Sequence, residues 1–343
     1  MAADALNYQP AGLLRSGHLQ TVLGSVWPVS WLIRRRAARL LAGAQELLLD
    51  CGDGVRLQAF HSSSSEAGAA SATARRVAVL LHGWEGSAEA NYLLSLGSML
   101  LSHGFDVVRL NLRDHGATHH LNREIFHSCR LDEVVGAMRA LAQRFAPARL
   151  YLAGFSLGGN FMLRVAADAR SPEAIAGAVA ISPVLDPEVT LTALEQGPAL
   201  YRRSFLQRWS RSLRLKQRAW PGVHDFDAML QLRQLRAMTA GLVARCTDFP
   251  SLAAYLDGYA VTGKRLATLR VPTTVLLADD DPIVPSADLA RLAPSSYLTI
   301  VRTRYGGHCG FALGVRGVSM ADRFVLEQFE QFGRSAQRAS ADL

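Results

Sequence analysis

From residue 77 onward, short unbroken apolar runs alternate with stretches of helical period, and few architectures accept that order. Residues 77–81 read as a buried strand, 88–103 as a helix, 105–111 as a strand and 130–145 as a helix. Residues 150–153, 157–170 and 178–181 continue as strand, helix and strand; 274–277 and 297–301 resume the strands, and 322–332 reads as a closing helix. An apolar run without polar alternation marks a strand covered on both faces. Strands separated by helices build a mostly parallel sheet with helices on both sides, an α/β fold.

Before this alternation, residues 46–49 and 55–61 form an expected hairpin around Cys51-Gly52-Asp53-Gly54, and the Ser-, Ala- and Gly-rich stretch 62–74 reads as an exposed loop. One long helical stretch, 187–266, interrupts the alternation where open α/β sheets bind ligands, at the carboxyl edge of the strands. It has no Pro/Gly/Ser linker, so it reads as a helical cap and not as a separate domain. The expected organisation is a single domain: an N-terminal segment 1–45, a core of 46–186 and 267–335, and the cap insertion 187–266.

A chain of 343 residues with 49% hydrophobic and 19% charged residues buries a large core and is not disordered. A membrane span needs roughly 20 apolar residues. The best candidate, 21–33, contains Pro28 and runs into Arg34, Arg35 and Arg36. Those charges follow the apolar run, whereas a signal peptide has them before it. Cys51, Cys129, Cys246 and Cys309 form no CxxC pair, which suits free thiols in a reducing compartment. A cytoplasmic protein is expected, monomeric or weakly homo-oligomeric.

Lys plus Arg (37) less Asp plus Glu (29) leaves +8. Lys occurs only at 216 and 264, so the excess is arginine beside abundant alanine, as compositional bias alone produces. Aromatics interleave with basic residues in one segment only, and no nucleic-acid partner is expected. That segment, 198–220, sets Tyr201, Phe205, Trp209 and Leu213 at fourth positions among Arg202, Arg203, Arg208, Arg211, Arg214, Lys216 and Arg218. Its apolar stripe packs on the core in one reading; in the other it lies on an anionic membrane as a peripheral contact.

The chemistry centres on Gly154-Phe155-Ser156-Leu157-Gly158, a G-x-S-x-G run between a strand and a helix. A serine on such a tight turn stands exposed above the sheet, and Gly154 and Gly158 must be tiny for the strand and helix to pass. A serine hydroxyl needs a base to take its proton. Of the downstream histidines, His308 sits in the flexible Tyr305-Gly306-Gly307-His308-Cys309-Gly310 loop and is the expected base, whereas His224 falls in the cap region. A carboxylate from Asp279-Asp280-Asp281 should orient His308; Asp281 is preferred at the apex of D-x-x-V-P, with Asp279 and Asp280 next. The oxyanion formed on attack needs two donors, expected from the amides of Leu157 and of Trp84 in His82-Gly83-Trp84-Glu85-Gly86. His82 reads as a brace of that loop.

These motifs together resemble the α/β-hydrolase superfamily. Ser16-Gly17-His18-Leu19-Gln20-Thr21, Asn111-Leu112-Arg113-Asp114-His115-Gly116, Phe126-His127-Ser128-Cys129-Arg130 and Gly306-Gly307-His308 resemble its YheT-like branch. That resemblance spans about residues 7 to 332. It implies hydrolases, among them carboxylesterases and lipases acting on acylglycerols or phospholipids, with Ser156, Asp281 and His308 as the triad.

Two other constellations compete. His115, His119, His120 and His127 crowd a loop with Asp114 and Glu124, but Gly116 argues against the helix that a His-x₃-His zinc pair needs, so a polar loop rimming the site is expected. Cys309 reads as packing. The expected protein is therefore a serine carboxylic-ester hydrolase without cofactor or metal, cleaving an ester or lipid with a hydrophobic acyl or alcohol part. A catalytically silent α/β-hydrolase fold that binds a ligand, or a peripheral membrane or nucleic-acid binder, is the alternative.

Overall fold

The computed structural model describes residues 2–3, 8–64, 75–314 and 316–341. The N-terminal part carries strand β1 (Ala2–Ala3) and helices α1 (Gly17–Leu23), α2 (Val29–Arg36) and α3 (Ala38–Ala42). A hairpin of β2 (Ala44–Asp50) and β3 (Arg56–Ser62) follows, turning through Gly52 and Gly54 at positive φ. The alternating region then runs β4 (Arg76–Leu81), α4 (Asn91–Ser102), β5 (Asp106–Leu110), α5 (Leu131–Arg144), β6 (Arg149–Phe155), α6 (Leu157–Ala167) and β7 (Ile175–Ile181). Five helices intervene: α7 (Pro187–Gln196), α8 (Ala199–Ala219), α9 (Asp227–Leu230), α10 (Leu235–Cys246) and α11 (Leu252–Gly258). Strands β8 (Thr273–Ala278) and β9 (Leu298–Thr303) and helix α12 (Met320–Ala341) close the chain.

The strands form one sheet in the order β1-β9-β8-β7-β6-β4-β5-β3-β2. Among the described residues, only β2 with β3 and β3 with β5 pair antiparallel within this sheet, so the expected mostly parallel sheet is present. Strands β4, β5, β7 and β8 are buried almost throughout, which is why their sequences carry no polar alternation. Alternate side chains feed two cores: Val77, Val79 and Leu81 point to the one shared with α5, α6 and the inserted helices, whereas Ala78 and Leu80 point to the one shared with α4 and α12.

The expected loop over 62–74 needs correction at its start. Ser62 ends β3 and donates its hydroxyl to Leu40 O (2.7 Å), and Ser64 is buried with its amide on Asp106 Oδ1 (2.8 Å). Asp106 also receives Arg75 and His61, so it gathers this corner of the sheet. The rest of that stretch, 65–74, lies outside the described residues. Helix α4 starts at Asn91, later than expected, because residues 82–90 form a loop held over the carboxyl end of β4.

Candidate active site

Ser156 stands between β6 and α6 with φ 53° and ψ −120°, a left-handed conformation that a non-glycine residue adopts only when its surroundings over-determine it. Three bonds do so: its amide donates to Ile181 O (2.9 Å), and its carbonyl accepts from Asn160 N (3.0 Å) and Val184 N (3.4 Å). The flanking glycines leave no alternative. A Cβ on Gly154 would lie 2.3 Å from Gly158 O, and one on Gly158 2.4 Å from His82 O. Leu157 opens α6, so its amide has no acceptor within the helix.

Asp281 and His308 come together from the loops after β8 and β9. The Asp281 carboxylate is fully buried; Oδ2 accepts from His308 Nδ1 (2.9 Å), while Oδ1 accepts the amides of Ile283 (2.8 Å) and Val284 (2.9 Å). Because a carboxylate faces Nδ1, the proton is assigned there and Nε2 is left as the acceptor. Burial opposes charge on this imidazole, but the Asp281 carboxylate, with a contribution from Cys309, outweighs it and holds the pKa well above the ordinary histidine value. The neighbouring carboxylates are otherwise engaged: Asp279 pairs with Arg302 (2.6 Å), and Asp280 Oδ1 accepts from Gly307 N (2.8 Å). Ser156 and His308 line the same cavity, with no direct hydrogen bond between them among the described residues. Such contacts commonly tighten only with substrate in place.

Across from Ser156, residues 82–86 are fixed by two neutral histidines. His82 donates from Nδ1 to Gly83 O (2.7 Å) and accepts Leu112 N at Nε2 (3.2 Å); complete burial drops its pKa to about 4. His115 donates from Nδ1 to Arg113 O (2.7 Å) and accepts Glu85 N at Nε2 (3.1 Å). His115 is thus a buried brace, and with Asp114, Gly116 and His119 it lines the cavity that holds Ser156 and His308. A Cβ on Gly83 would lie 3.1 Å from Ser156 Cβ, so the loop passes directly beside the serine. That placement carries the Trp84 amide, which has no protein acceptor among the described residues.

The N-terminal segment contributes positioning groups that spacing alone did not reveal. Gly17 packs against the Asp280 carbonyl so closely that a Cβ would lie 2.1 Å from it. Thr21 Oγ1 accepts the His308 amide (2.9 Å) and donates to Gly17 O (2.6 Å), and Gln20 Oε1 accepts Ala312 N (2.8 Å). Helix α1 therefore clamps both loops that bring Asp281 and His308 together. The signal for this lay in Ser16-Gly17-His18-Leu19-Gln20-Thr21, where a glycine is followed by several polar residues within one short helix.

The inserted helices overhang this point. Trp84 stacks on Phe205 (centroids 5.3 Å, 13° between planes) and meets Trp209 edge-on at 5.1 Å. Tyr201, Trp209 and Leu213 are buried, so the apolar stripe of α8 faces protein. Lys216, one of the cations of the 198–220 stretch, is 1% exposed and bonds Asp114 Oδ1 (2.8 Å) and the carbonyls of Asn122 and Glu124. It lies on the apolar side of α8, three residues after Leu213, which brings its ammonium down onto the 112–124 loop. A cavity of about 1060 Å³ and a smaller apolar pocket of about 90 Å³ both reach Ser156.

Among the described residues, no group of three or more His, Cys, Asp or Glu side chains is arranged to hold a metal ion. His119 Nε2 pairs with Ser212 Oγ (2.9 Å), His224 Nε2 with Arg123 O (2.7 Å), and His127 packs edge-on against Phe249 and Tyr255. The amide of Cys309 donates to Ser182 Oγ (3.2 Å), and all four cysteines are free.

A family model described as the alpha/beta hydrolase fold matches residues 77–314. The chain is 26% identical over 303 residues to YheT of Escherichia coli (strain K12), provisionally named an esterase, covering 87% of this chain and 84% of that one. It is 22% identical to the phospholipase ABHD3 of Mus musculus, over 92% of this chain and 80% of that one. Among solved structures, a serine hydrolase of Cycloclasticus zankles superposes with a TM-score of 0.55 at 15% identity, covering 84% of this chain and 98% of that one.

Proposed function

The chain belongs to the alpha/beta hydrolase family, and on that premise we propose that it is a serine hydrolase of carboxylic esters with a hydrophobic acyl or alcohol part. The observation that carries this is the buried Asp281–His308 pair opening onto the same cavity as a serine held in a strained strand-to-helix turn.

In the acylation step Ser156 Oγ attacks the ester carbonyl carbon while His308 Nε2 takes its proton. The C–OR bond breaks as His308 returns that proton to the departing alkoxide oxygen. Water then attacks the acyl carbon, His308 again relaying the proton, and the acyl–Oγ bond breaks to release the acid. Asp281 keeps Nδ1 protonated and stabilises the transient imidazolium. The Leu157 and Trp84 amides receive the carbonyl oxygen as it becomes anionic, each worth on the order of 10²–10³ in turnover. No step calls for a metal or cofactor.

The helices between β7 and β8 act as a cap over this reaction, continuous with the single hydrolase domain. The free thiols fit a reducing, cytoplasmic setting. Peripheral contact with anionic lipid has its own support: Trp27 is 80% and Trp31 51% exposed, next to Arg34, Arg35 and Arg36. Hydrolysis of p-nitrophenyl esters of rising chain length tests the activity. Turnover by the wild type, lost in Ser156→Ala, is expected; equal rates in both proteins overturn the assignment.

A further inference from the structure

Ser156 lies where two cavities of opposite character meet. The inner one, about 90 Å³, is walled by Leu191 and Leu194 of α7, Leu242 of α10, Leu256 of α11 and Trp209 of α8. The outer one, about 1060 Å³, runs between the N-terminal helices and α8, and Arg208 and Arg211 stand on its wall. These two are three residues apart on one helix, hence on one face.

Neither guanidinium pairs with a carboxylate among the described residues. Arg208 bonds only its own helix, at Ser204 O (3.4 Å) and Ser204 Oγ (3.1 Å), and lies over the Phe205 ring at 5.0 Å. The acids of the same wall are engaged elsewhere: Glu89 with Arg34 (2.9 Å), Asp114 with Lys216 (2.8 Å) and Asp322 with Ser95 (2.6 Å). Glu85, the remaining acid of this wall, makes no hydrogen bond or ion pair with Arg208 among the described residues, and burial pushes its carboxyl up to about 8 against the pull of that guanidinium. Arg208 and Arg211 thus make one wall of the outer cavity cationic, while no Asp, Glu, Lys or Arg lines the inner pocket.

Resting on the serine-esterase reading above, we propose that the substrates are esters whose acyl group is apolar and short, seated in the inner pocket, and whose alcohol part carries a phosphate or carboxylate bound by Arg208 and Arg211. Planar guanidiniums suit either anion through paired charge-assisted hydrogen bonds. After acylation the anionic alcohol leaves through the wide cavity while the acyl chain stays on Ser156.

The test compares 4-nitro-3-octanoyloxybenzoate, whose alcohol part is anionic, with its uncharged parent 2-nitrophenyl octanoate, at equal concentrations of fluorophosphonate-titrated active serine. A second pair, 1-octanoylglycerol 3-phosphate and 1-octanoylglycerol, tells phosphate from carboxylate. The wild type should favour the anionic member of at least one pair by about tenfold in kcat/KM. In Arg208→Gln/Arg211→Gln the ratio should fall to near one, and a palmitoyl ester should be cleaved more slowly than an octanoyl ester by the wild type. Turnover of the neutral esters with no anionic preference overturns this inference and leaves the serine esterase standing. A preference that survives the double substitution overturns the role of the arginines. No turnover and no fluorophosphonate labelling sink both.

Discussion

Replacing Gly17 with alanine tests whether α1 sets the geometry of the site. The new Cβ would stand 2.1 Å from the Asp280 carbonyl oxygen, where ordinary contact begins near 3.4 Å, so 3.4 − 2.1 = 1.3 Å of clearance is missing. The obstructing atom is backbone, in the residue next to Asp281, and the Gly17 carbonyl is itself bonded by Thr21, which holds the His308 amide. Neither side can give by a rotamer change. A displacement of about 1 Å at a catalytic group costs on the order of 10²-fold in rate, and overpacking a tight contact costs roughly 1–3 kcal/mol of stability. Gly17→Ala should therefore lose about 100-fold in kcat/KM on a short-chain p-nitrophenyl ester, with a lower melting temperature. Gly24→Ala is the control: Gly24 caps the same helix with φ −65°, and an added methyl there would meet nothing within 4 Å, so activity should stay at the wild-type level. A Gly17→Ala protein within threefold of wild type and with unchanged melting would refute the clamp.

Other substitutions probe separate parts of the account. Asp281→Asn should keep the fold but reduce kcat by about 10⁴, because an amide no longer fixes the histidine tautomer; a loss below tenfold in steady-state assays would remove Asp281 from the mechanism. Lys216→Met strands the Asp114 carboxylate, which is 4% exposed, and should cost roughly 3–5 kcal/mol in urea unfolding, with part regained on adding Asp114→Leu. A cost under about 1 kcal/mol would show that the pair adds little. Since His308 must be neutral to accept the serine proton and its pKa is held up by Asp281, kcat/KM should rise with pH through a midpoint above 6.5; a limb centred below that value would contradict the pairing.

The parallel sheet was legible because β4, β5, β7 and β8 are covered on both faces, which forces unbroken apolar runs into the sequence. Ser156 was legible because a strand-to-helix turn this tight accepts only glycine at 154 and 158. Among Asp279, Asp280 and Asp281, the loop apex singled out the residue whose side chain also ties down the amides of Ile283 and Val284. Polar groups buried by distant partners were not legible. Lys216 looks like one more cation of a basic helix, and only folding sets it against Asp114, 102 residues earlier in the chain. Thr21 and Gln20 act on loops 287 and 292 residues away and Gly17 on Asp280, separations over which no local periodicity carries information. Ser62 and Ser64 misled for a related reason: a serine-rich composition suggests an exposed loop, but their hydroxyl and amide are taken up by Leu40 and Asp106.

The most direct test of the central claim is to treat the protein with a fluorophosphonate probe and map the adduct by peptide mass spectrometry. One phosphonyl group on Ser156, absent from Ser156→Ala and from heat-denatured protein, is the predicted result. Folded wild-type protein that takes up no label at residue 156, or takes it up on another serine while still cleaving esters, would contradict it.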